Sequence, residues 1–252
     1  MLLSQYAADD HTGSDWIVLC DFDGTISKQD VTDTLLEHFG RPGWQELEAA
    51  WERGEIGSRE CMAKQIALLD ASKEELDALV TGIEIDPAFP EFVAQARGLG
   101  TPVHVVSDGL AAVITAVLGR HGLADLPVVA NRFEQAGPRS WRLAFPYADA
   151  GCRKASGTCK CSYGSGMRGM HEKILYVGDG ASDFCVSGTV DFVLAKHRLI
   201  DHCREHGLVH IPISGFGEAR NALDFILKGQ LHAIAQPPRG FTMPPAAASS
   251  TA

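Results

Sequence analysis

Short apolar runs rich in β-branched residues recur along the chain and are separated by longer segments of mixed character. These runs predict strands at Trp16–Cys20, Val103–Val106, Val128–Ala130, Ile174–Val177 and Phe192–Ala195. Because the runs are almost continuously apolar, they are typical of parallel strands that are covered on both faces. Helical patterns between several of them predict a doubly wound α/β fold with a mainly parallel sheet.

The segment from 31 to 100 has a different pattern, with apolar residues at helical spacing and no convincing strand. It predicts helices at Val31–Phe39, Trp44–Arg53, Arg59–Leu69, Glu74–Val80 and Phe89–Ala96. Ser72 and Glu75 form a capping-box pattern, and Asp86-Pro87 is typical of a helix N-cap followed by proline. We therefore expect a helical cap at 31–100, inserted between two core segments, 16–30 and 101–235.

The two ends of the chain carry no predicted strand or helix. Residues 1–15 are expected to form an N-terminal extension, and residues 236–252 are rich in Pro, Ala and Ser, which favours a disordered tail. The N-terminal residues lack the basic and apolar segments of a signal peptide. The chain has no window of about 18 apolar residues, so we expect a cytoplasmic protein with no membrane partner.

Composition narrows the class of protein further. The 252 residues carry a formal net charge of −10, which argues against a nucleic-acid partner. The length suits one large domain or a domain with a substantial insert. Seven cysteines are an odd number, and together with the absent signal peptide they favour a reducing cytoplasm with mostly free thiols.

Two aspartates follow the first predicted strand in the segment LCDFDGTI, residues 19–26. Asp21 and Asp23 are separated by one residue, and alternate residues of an extended segment share a face. Ligand crevices of open α/β sheets lie at the carboxyl ends of the strands, where these acids are expected. Two neighbouring carboxylates repel each other unless a cation or a proton compensates them. An ordinary acidic turn is the alternative interpretation.

Two further strand ends carry polar groups. Ser107 follows the second strand, and its hydroxyl could bind an anion with the backbone N–H groups of Asp108 and Gly109 at the start of the next helix. A serine N-cap is the alternative there. Asp179 follows the fourth strand, and Asp183 lies four residues further along. Turn or cap residues are the alternative for this pair.

Together, these strand ends predict a single ligand site. Asp21, Asp23 and Asp179 would form an oxygen-rich group that suits Mg²⁺. Binding of a phosphate also needs a fixed positive side chain. Lys160, ahead of a helix predicted near Gly166–Glu172, is preferred to Lys173, which precedes a strand and belongs at the opposite edge of the sheet. A solvated loop lysine is the alternative for Lys160.

These segments resemble the four motifs of the haloacid-dehalogenase-like phosphohydrolases. The motifs are DFDGT at 21–25, Ser107, Lys160 and GDGASD at 178–183. The insert resembles the helical C1-type cap of the phosphoserine-phosphatase-like branch. The resemblance implies a Rossmann-like core and a Mg²⁺-dependent phosphatase that hydrolyses a small-molecule phosphate ester.

The resemblance also implies a role for each residue. Asp21 would be the nucleophile that forms an aspartyl-phosphate, and Asp23 would act as general acid and base. Asp21, the backbone carbonyl of Asp23 and Asp179 would hold Mg²⁺. The resemblance implies that the phosphate is bound by Ser107, Asp108, Gly109 and Lys160. It implies that the metal site is supported by Thr25, Ser182 and Asp183.

A finer resemblance concerns the substrate. The segment 145–161 is similar to one in the enzymes that dephosphorylate 2-hydroxy-3-keto-5-methylthiopentenyl-1-phosphate in methionine salvage. Asp108, Ser182 and Gln65 depart from the phosphoserine pattern and disfavour phosphoserine. Phosphoserine, phosphocholine-like and pyridoxal-phosphate-like esters stay open, as does a phosphotransferase. A non-catalytic binding module is disfavoured, because all four motifs are intact.

Two features stay open at this level. Asp30 is a candidate substrate or cap contact, with a helix N-cap as the alternative. Cys152, Cys159 and Cys161 could be zinc ligands, or Cys159 and Cys161 could be a redox-sensitive pair. Paired CxxC units are absent, which favours unmetallated thiols. The sequence does not fix the oligomeric state, and a homodimer is compatible with it.

Overall fold

The computed structural model describes residues 14–230, so residues 1–13 of the expected extension and the expected tail at 236–252 lie outside the described residues. Seven strands form one sheet in the order β4-β3-β2-β1-β5-β6-β7. All neighbouring strands are parallel except β3 and β4. The strands are β1 Trp16–Cys20, β2 Val103–Leu110, β3 Val128–Gly137, β4 Ser140–Ala144, β5 Lys173–Gly178, β6 Phe192–Ala195 and β7 His210–Pro212. The predicted α/β class with a mainly parallel sheet is confirmed.

Helices precede or follow most of the strands. In the described residues they are α1 Val31–Phe39, α2 Trp44–Glu52, α3 Ser58–Ala67, α4 Lys73–Val80, α5 Phe89–Gly98, α6 Ala111–Arg120, α7 Lys160–Met167, α8 Phe184–Ser187, α9 His197–Glu205 and α10 Phe216–Leu227, with a short 3₁₀ helix at Ala181–Asp183. The predicted capping box of α4 is present, because the side chains of Ser72 and Glu75 each accept the other's backbone N–H.

The central strand β1 sets the position of the site. It lies between β2 and β5, and every residue of the strand is buried. Cys20 is in register with Val105 on one side and with Val177 on the other. The three chain segments that follow these residues therefore leave the sheet side by side at one edge.

The chain enters and leaves the cap at an antiparallel bridge. Ser27 pairs with Ile85, and the Lys28 N–H donates to the Glu84 carbonyl at 3.0 Å. The inserted segment is therefore 28–84, which contains α1 to α4. Helix α5 lies beyond the bridge and packs on α10, where the rings of Phe89 and Phe216 lie 4.7 Å apart. The expected cap at 31–100 stays a prediction, although α5, its last predicted helix, packs on α10 of the core.

The structure corrects the sequence-based predictions at four places. The run at 128–130 continues to Gly137 and turns back as β4, and the short strand β7 was not predicted. Helix α7 begins at Lys160 rather than near Gly166. The N-cap of α5 is Ala88 and not Asp86. The Asp86 carboxylate instead accepts the N–H groups of Ala88 and of Phe216.

The hairpin of β3 and β4 braces the far side of the cap. The Trp141 indole N–H donates to the Ala71 carbonyl at 2.8 Å, and Arg139 pairs with Asp70 at 2.6 Å. The hairpin thus holds the segment between α3 and α4. Within residues 14–230, none of the helices is both long and apolar enough to cross a bilayer.

Candidate active site

A cavity of about 300 Å³ lies between the carboxyl edge of the sheet and the cap. Its floor is formed by the predicted residues, and helices α1, α2 and α3 form the opposite wall. The floor residues are Asp21, Asp23, Ser107, Asp108, Gly109, Asp179, Gly180, Ala181 and Ser182. The structure therefore brings three of the four predicted segments to one cavity, and Lys160 lies directly behind it.

Lys160 binds two of the aspartates. Its ammonium lies 2.7 Å from Asp21 Oδ2 and 2.6 Å from Asp183 Oδ1, and all three side chains are buried. Lys160 is the first residue of α7, so its side chain is fixed to a helix that packs on the sheet through Tyr163. Lys173, the rejected alternative, begins β5 at the opposite edge and lies over the Trp16 ring.

Asp179 lies in the same group of carboxylates. One oxygen from each of Asp21, Asp179 and Asp183 lies within 4.8 Å of the others. The Thr25 hydroxyl donates to Asp179 Oδ1 at 3.0 Å. Gly24 has φ +69°, and a Cβ there would approach Asp179 Oδ2 to 2.6 Å. The glycine and threonine of the first motif are therefore required for this close approach.

Asp183 is fully engaged by hydrogen bonds. Its Oδ2 accepts the backbone N–H groups of Asp179 and Gly180 at 2.8 Å and 3.1 Å. Its Oδ1 accepts the Tyr176 hydroxyl at 2.5 Å, in addition to the Lys160 ammonium. Asp183 therefore fixes the loop that carries Asp179, and Tyr176 is a member of the site that the sequence analysis missed.

Asp23 points across the cavity floor towards the second motif. Its Oδ1 accepts the Val31 N–H at 2.9 Å, at the beginning of α1. Its Oδ2 lies 3.5 Å from Ser107 Oγ, which itself accepts the Gly109 N–H at 2.9 Å. A Cβ on Gly109 would collide with Asp23 Oδ2. The predicted helix start at this point is wrong, because α6 begins only at Ala111.

Burial and mutual repulsion shape the charges of the site. Burial, followed by the neighbouring carboxylates, raises the pKa of Asp21 well above its usual value and raises that of Asp179. Burial also raises the pKa of Asp23. Burial alone would raise the pKa of Asp183 and lower the pKa of Lys160. Their contact outweighs burial, so the pKa of Asp183 is lowered and the pKa of Lys160 is raised. One lysine therefore does not compensate all the acids.

Asp108 joins the cap to the core. Its carboxylate accepts the Ser58 hydroxyl at 2.5 Å, at the first residue of α3. From the core side it accepts the Asn131 amide at 3.1 Å and the Thr158 N–H at 2.8 Å. The position that departs from the phosphoserine pattern is therefore a contact across the cavity. Ser58, Asn131 and Thr158 lie far apart in sequence and could not be found from spacing.

The cap wall is acidic and partly apolar. It presents the side chains of Asp30, Thr32, Asp33, Glu48, Trp51, Ser58, Cys61, Met62 and Gln65. Asp30 is the N-cap of α1 and accepts the Asp33 N–H at 2.9 Å. It also lines the cavity, so capping the helix and contacting a ligand are both compatible with its position. The buried Gln65 donates to Glu48 at 2.9 Å. The basic residue that lines this cavity, Arg198, comes from α9 in the core.

Lys196 is a second residue that the sequence analysis missed. It is buried directly after β6, and its ammonium donates to the carbonyls of Gly24 and Thr25 at 2.9 Å and 3.0 Å. It therefore fixes the loop that carries the first motif. Its place after the strand FVLA, at the ligand edge of the sheet, is the signal that could have identified it.

Known proteins are similar to this chain in sequence. Two relatives named 2-hydroxy-3-keto-5-methylthiopentenyl-1-phosphate phosphatase are similar to this chain. The one from Geobacillus kaustophilus is 29% identical over 210 residues, covering 82% of this chain and 94% of the relative. The one from an Exiguobacterium species is 28% identical over 202 residues, covering 79% and 93%.

A solved structure of a substrate-bound phosphoserine phosphatase complex has the same fold. It superimposes with a TM-score of 0.63 at 18% identity, covering 83% of this chain and 97% of the other. The family model described as haloacid dehalogenase-like hydrolase matches residues 18–187, which is more than half of the chain and includes all four motifs. The chain therefore belongs to the haloacid dehalogenase-like hydrolases.

Proposed function

We propose that the chain is a Mg²⁺-dependent phosphatase that hydrolyses a small phosphate monoester through an aspartyl-phosphate on Asp21. The observation that carries the proposal is the buried contact of Asp21 with Lys160 beside Asp179, at the floor of a cavity that the cap covers. A carboxylate can attack a phosphate only where positive charge offsets their repulsion. The names of the relatives support the same reaction class.

The described residues fit a divalent cation. The three carboxylates with oxygens within 4.8 Å face a single lysine, so the group carries an excess of negative charge. Carboxylate and carbonyl oxygens are the ligands that Mg²⁺ prefers. Asp21, the backbone carbonyl of Asp23 and Asp179 would hold it. When bound, it would offset the charge of the phosphate and of the acids.

The first half of the reaction forms a bond between an Asp21 oxygen and phosphorus and breaks the bond between phosphorus and the ester oxygen. Asp23 gives its proton to the departing alcohol, so that no alkoxide is released. Both residues are held in place by backbone groups, because Asp21 Oδ1 accepts the Phe22 N–H at 2.7 Å and Asp23 Oδ1 accepts the Val31 N–H.

The second half returns the enzyme to its starting state. Asp23 takes a proton from a water molecule, the water oxygen bonds to phosphorus, and the bond to Asp21 breaks to release inorganic phosphate. Ser107, Lys160 and the backbone N–H groups of Asp108 and Gly109 hold the phosphoryl oxygens. Asp183, Ser182 and Thr25 keep the acids and the lysine in position.

The substrate we favour is 2-hydroxy-3-keto-5-methylthiopentenyl-1-phosphate, as in the names of the relatives. Trp51 and Met62 give the cap wall an apolar surface that suits a methylthio group. The Glu48–Gln65 pair offers hydrogen bonds for hydroxyl and keto oxygens. The cap wall, as far as the described residues form it, presents acids and no basic side chain, which disfavours the carboxylate of phosphoserine.

The acidic cap wall also favours a second candidate substrate. Asp30, Asp33 and Glu48 would attract a cationic group such as that of a phosphocholine-like ester. The reaction would be the same, so the two candidates differ only in cap contacts. A cytoplasmic location, the absence of a nucleic-acid partner and the oligomeric state stay predictions.

A substrate panel tests the proposal. Purified protein with Mg²⁺ is assayed for release of inorganic phosphate from four esters. They are 2-hydroxy-3-keto-5-methylthiopentenyl-1-phosphate (the enol phosphate), phosphocholine, pyridoxal phosphate and phosphoserine. We expect the enol phosphate to have the highest kcat/KM and Asp21→Asn to lose turnover while staying folded. Activity that survives in Asp21→Asn would reject the aspartyl-phosphate. Transfer to an added alcohol without phosphate release would identify a phosphotransferase instead.

A further inference from the structure

A second cavity lies beside the segment that links β4 to α7. Four of the seven cysteines line it, namely Cys152, Cys159, Cys161 and Cys185. The cavity measures about 470 Å³ and shares no lining residue with the cavity at Asp21. These thiols have no part in the proposed phosphatase reaction. Their arrangement therefore needs a separate explanation.

Two of the four thiols act on each other's pKa. Cys152 and Cys159 line the same cavity seven residues apart in sequence, and the Cys159 thiol is among the groups that lower the pKa of Cys152. The Ser156 N–H also donates to Cys152 Sγ at 3.5 Å, so the short turn after Cys152 is folded around that sulfur. Cys152 is half-buried, whereas Cys159 is buried as the N-cap of α7. Both residues line the cavity, and Cys152 is the more exposed of the two.

The surroundings of Cys152 favour its thiolate. Burial alone would raise the pKa of Cys152, but the backbone N–H groups of Ser156 and Lys154 and the Cys159 thiol hold it below the ordinary value. Burial raises the pKa of Cys159 instead. Thiolates are the nucleophiles of thiol–disulfide exchange, so the more accessible sulfur is also the more reactive one.

We propose that Cys152 and Cys159 form a thiol–disulfide exchange site that reacts with small anionic disulfides. The Cys152 thiolate attacks one sulfur of the incoming disulfide, its S–S bond breaks, and one small thiolate leaves. The Cys159 thiol then loses its proton to solvent and attacks Cys152, which releases the second small thiolate. The protein is oxidised by two electrons, and the small disulfide is reduced to two thiols.

The lining of the cavity suits an anionic partner. Arg153 and Arg168 both line it, together with the acid Asp149. Arg168 already pairs with Asp191 at 3.0 Å, so Arg153 is the side chain that can bind a carboxylate of the partner. Glutathione disulfide carries several carboxylates and is a member of this class. The alternative occupant of a cysteine cluster is a metal ion. Among residues 14–230, the ligand atoms that lie close enough together to hold a metal ion are those of Asp21, Asp179 and Asp183. The cysteines of this cavity do not form such a group, which favours thiol–disulfide exchange over metal binding.

The structure also changes the pairing considered from sequence. Cys159 and Cys161 lie in one CxC segment, but the cysteine that acts on the pKa of Cys159 is Cys152. Burial, followed by repulsion from the other three cysteines, raises the pKa of Cys161, and Cys185 lines the same cavity. Cys185 therefore serves as a matched control, because it lines the same cavity without belonging to the pair.

The test treats the reduced full chain with glutathione disulfide and maps the products by peptide mass spectrometry. We expect a Cys152–Cys159 link in the wild type, unchanged in Cys185→Ser and in Cys203→Ser. Cys159→Ser should stop at a mixed glutathione disulfide on Cys152, and Cys152→Ser should give neither product. Reduction with dithiothreitol should restore the original mass.

Three outcomes would overturn the proposal. The first is a link that forms through Cys161 or Cys185 in the wild type. The second is a mixed disulfide that forms equally on Cys152 and on cysteines outside this cavity. The third is one tightly bound zinc per chain that is lost in Cys152→Ser, which would make these thiols metal ligands. None of these outcomes depends on phosphatase activity.

Discussion

The ammonium of Lys160 lies 2.7 Å from Asp21 Oδ2, and both side chains are almost completely buried. Asp21 follows the central strand and Lys160 begins a helix on the sheet, so each is fixed by a different element. A buried ion pair of this kind is costly to desolvate, and removing one partner leaves the other charge uncompensated. The pair is therefore the most sensitive point of the site.

Replacing the lysine tests this sensitivity. Lys160→Met leaves Asp21 and Asp183 without their cation, so we expect a loss of about 3–5 kcal/mol in the free energy of unfolding. Turnover should fall by at least ~10²-fold, because the phosphate loses its charged ligand. Urea denaturation and kcat/KM measure the two effects. Lys173→Met is the matched control and should cost at most about 1 kcal/mol.

Replacing Gly109 by alanine should lower kcat, whereas replacing Gly98 by alanine should raise the stability of the fold. A Cβ on Gly109 would collide with Asp23 Oδ2 and lie 3.1 Å from Ser107 Oγ, whereas a Cβ on Gly98 meets nothing within 4 Å. We expect Gly109→Ala to lower kcat by at least ~10-fold because Asp23 is displaced. Gly98→Ala, at the end of α5, should raise stability by up to about 1 kcal/mol. Unchanged kcat in Gly109→Ala would contradict the placement of Asp23.

The contact between Ser58 and Asp108 should couple the cap to the core. In a double-mutant cycle with Ser58→Ala and Asp108→Ala, we expect a coupling energy of about 1–3 kcal/mol. Ser58→Ala should raise KM more than it lowers kcat, because the contact positions the cap without touching the reacting atoms. The exposed pair Arg53 and Glu55 is the control cycle, with coupling below about 1 kcal/mol. Equal coupling in both cycles would show that the contact does not join cap and core.

Magnesium should stabilise the folded protein. Binding to the folded state at about 100 times the Kd adds about 2.7 kcal/mol, which for a domain of this size raises the Tm by several degrees. We expect this shift in calorimetry when Mg²⁺ replaces EDTA. Asp179→Asn should reduce the shift and leave the metal-free protein at least as stable, because one repelling charge is gone. Asp125→Asn, at an exposed pair with Arg97, should keep the full shift.

The strand ends were predictable because strand periodicity and strand-end chemistry are local signals. Asp21, Ser107 and Asp179 each follow an apolar run, and a parallel sheet brings such ends together whatever the length of chain between them. The start of α7 was not predictable in this way. Its sequence contains Gly164 and Gly166, which disfavour a helix, and burial of Tyr163 and Met167 overrides that local preference.

The contacts that cross the site could not be read from the sequence. Ser58 reaches Asp108 only because α3 lies over the strand ends, and the Ser156 N–H reaches the Cys152 sulfur only because the turn after Cys152 folds back. The hairpin was missed because its outer half, after Asn131, mixes polar and apolar residues without strict alternation. Tertiary packing decides each of these cases.

The bridge between Ser27 and Ile85 has a consequence for how such proteins diversify. Because the chain leaves and re-enters the core at neighbouring points, the whole of 28–84 closes as one loop whose ends are already held together. The entropy of closing a loop grows only slowly with its length, so inserts of very different size fit the same junction. One chemical core can thus be paired with substrate-selecting modules of different size at this junction.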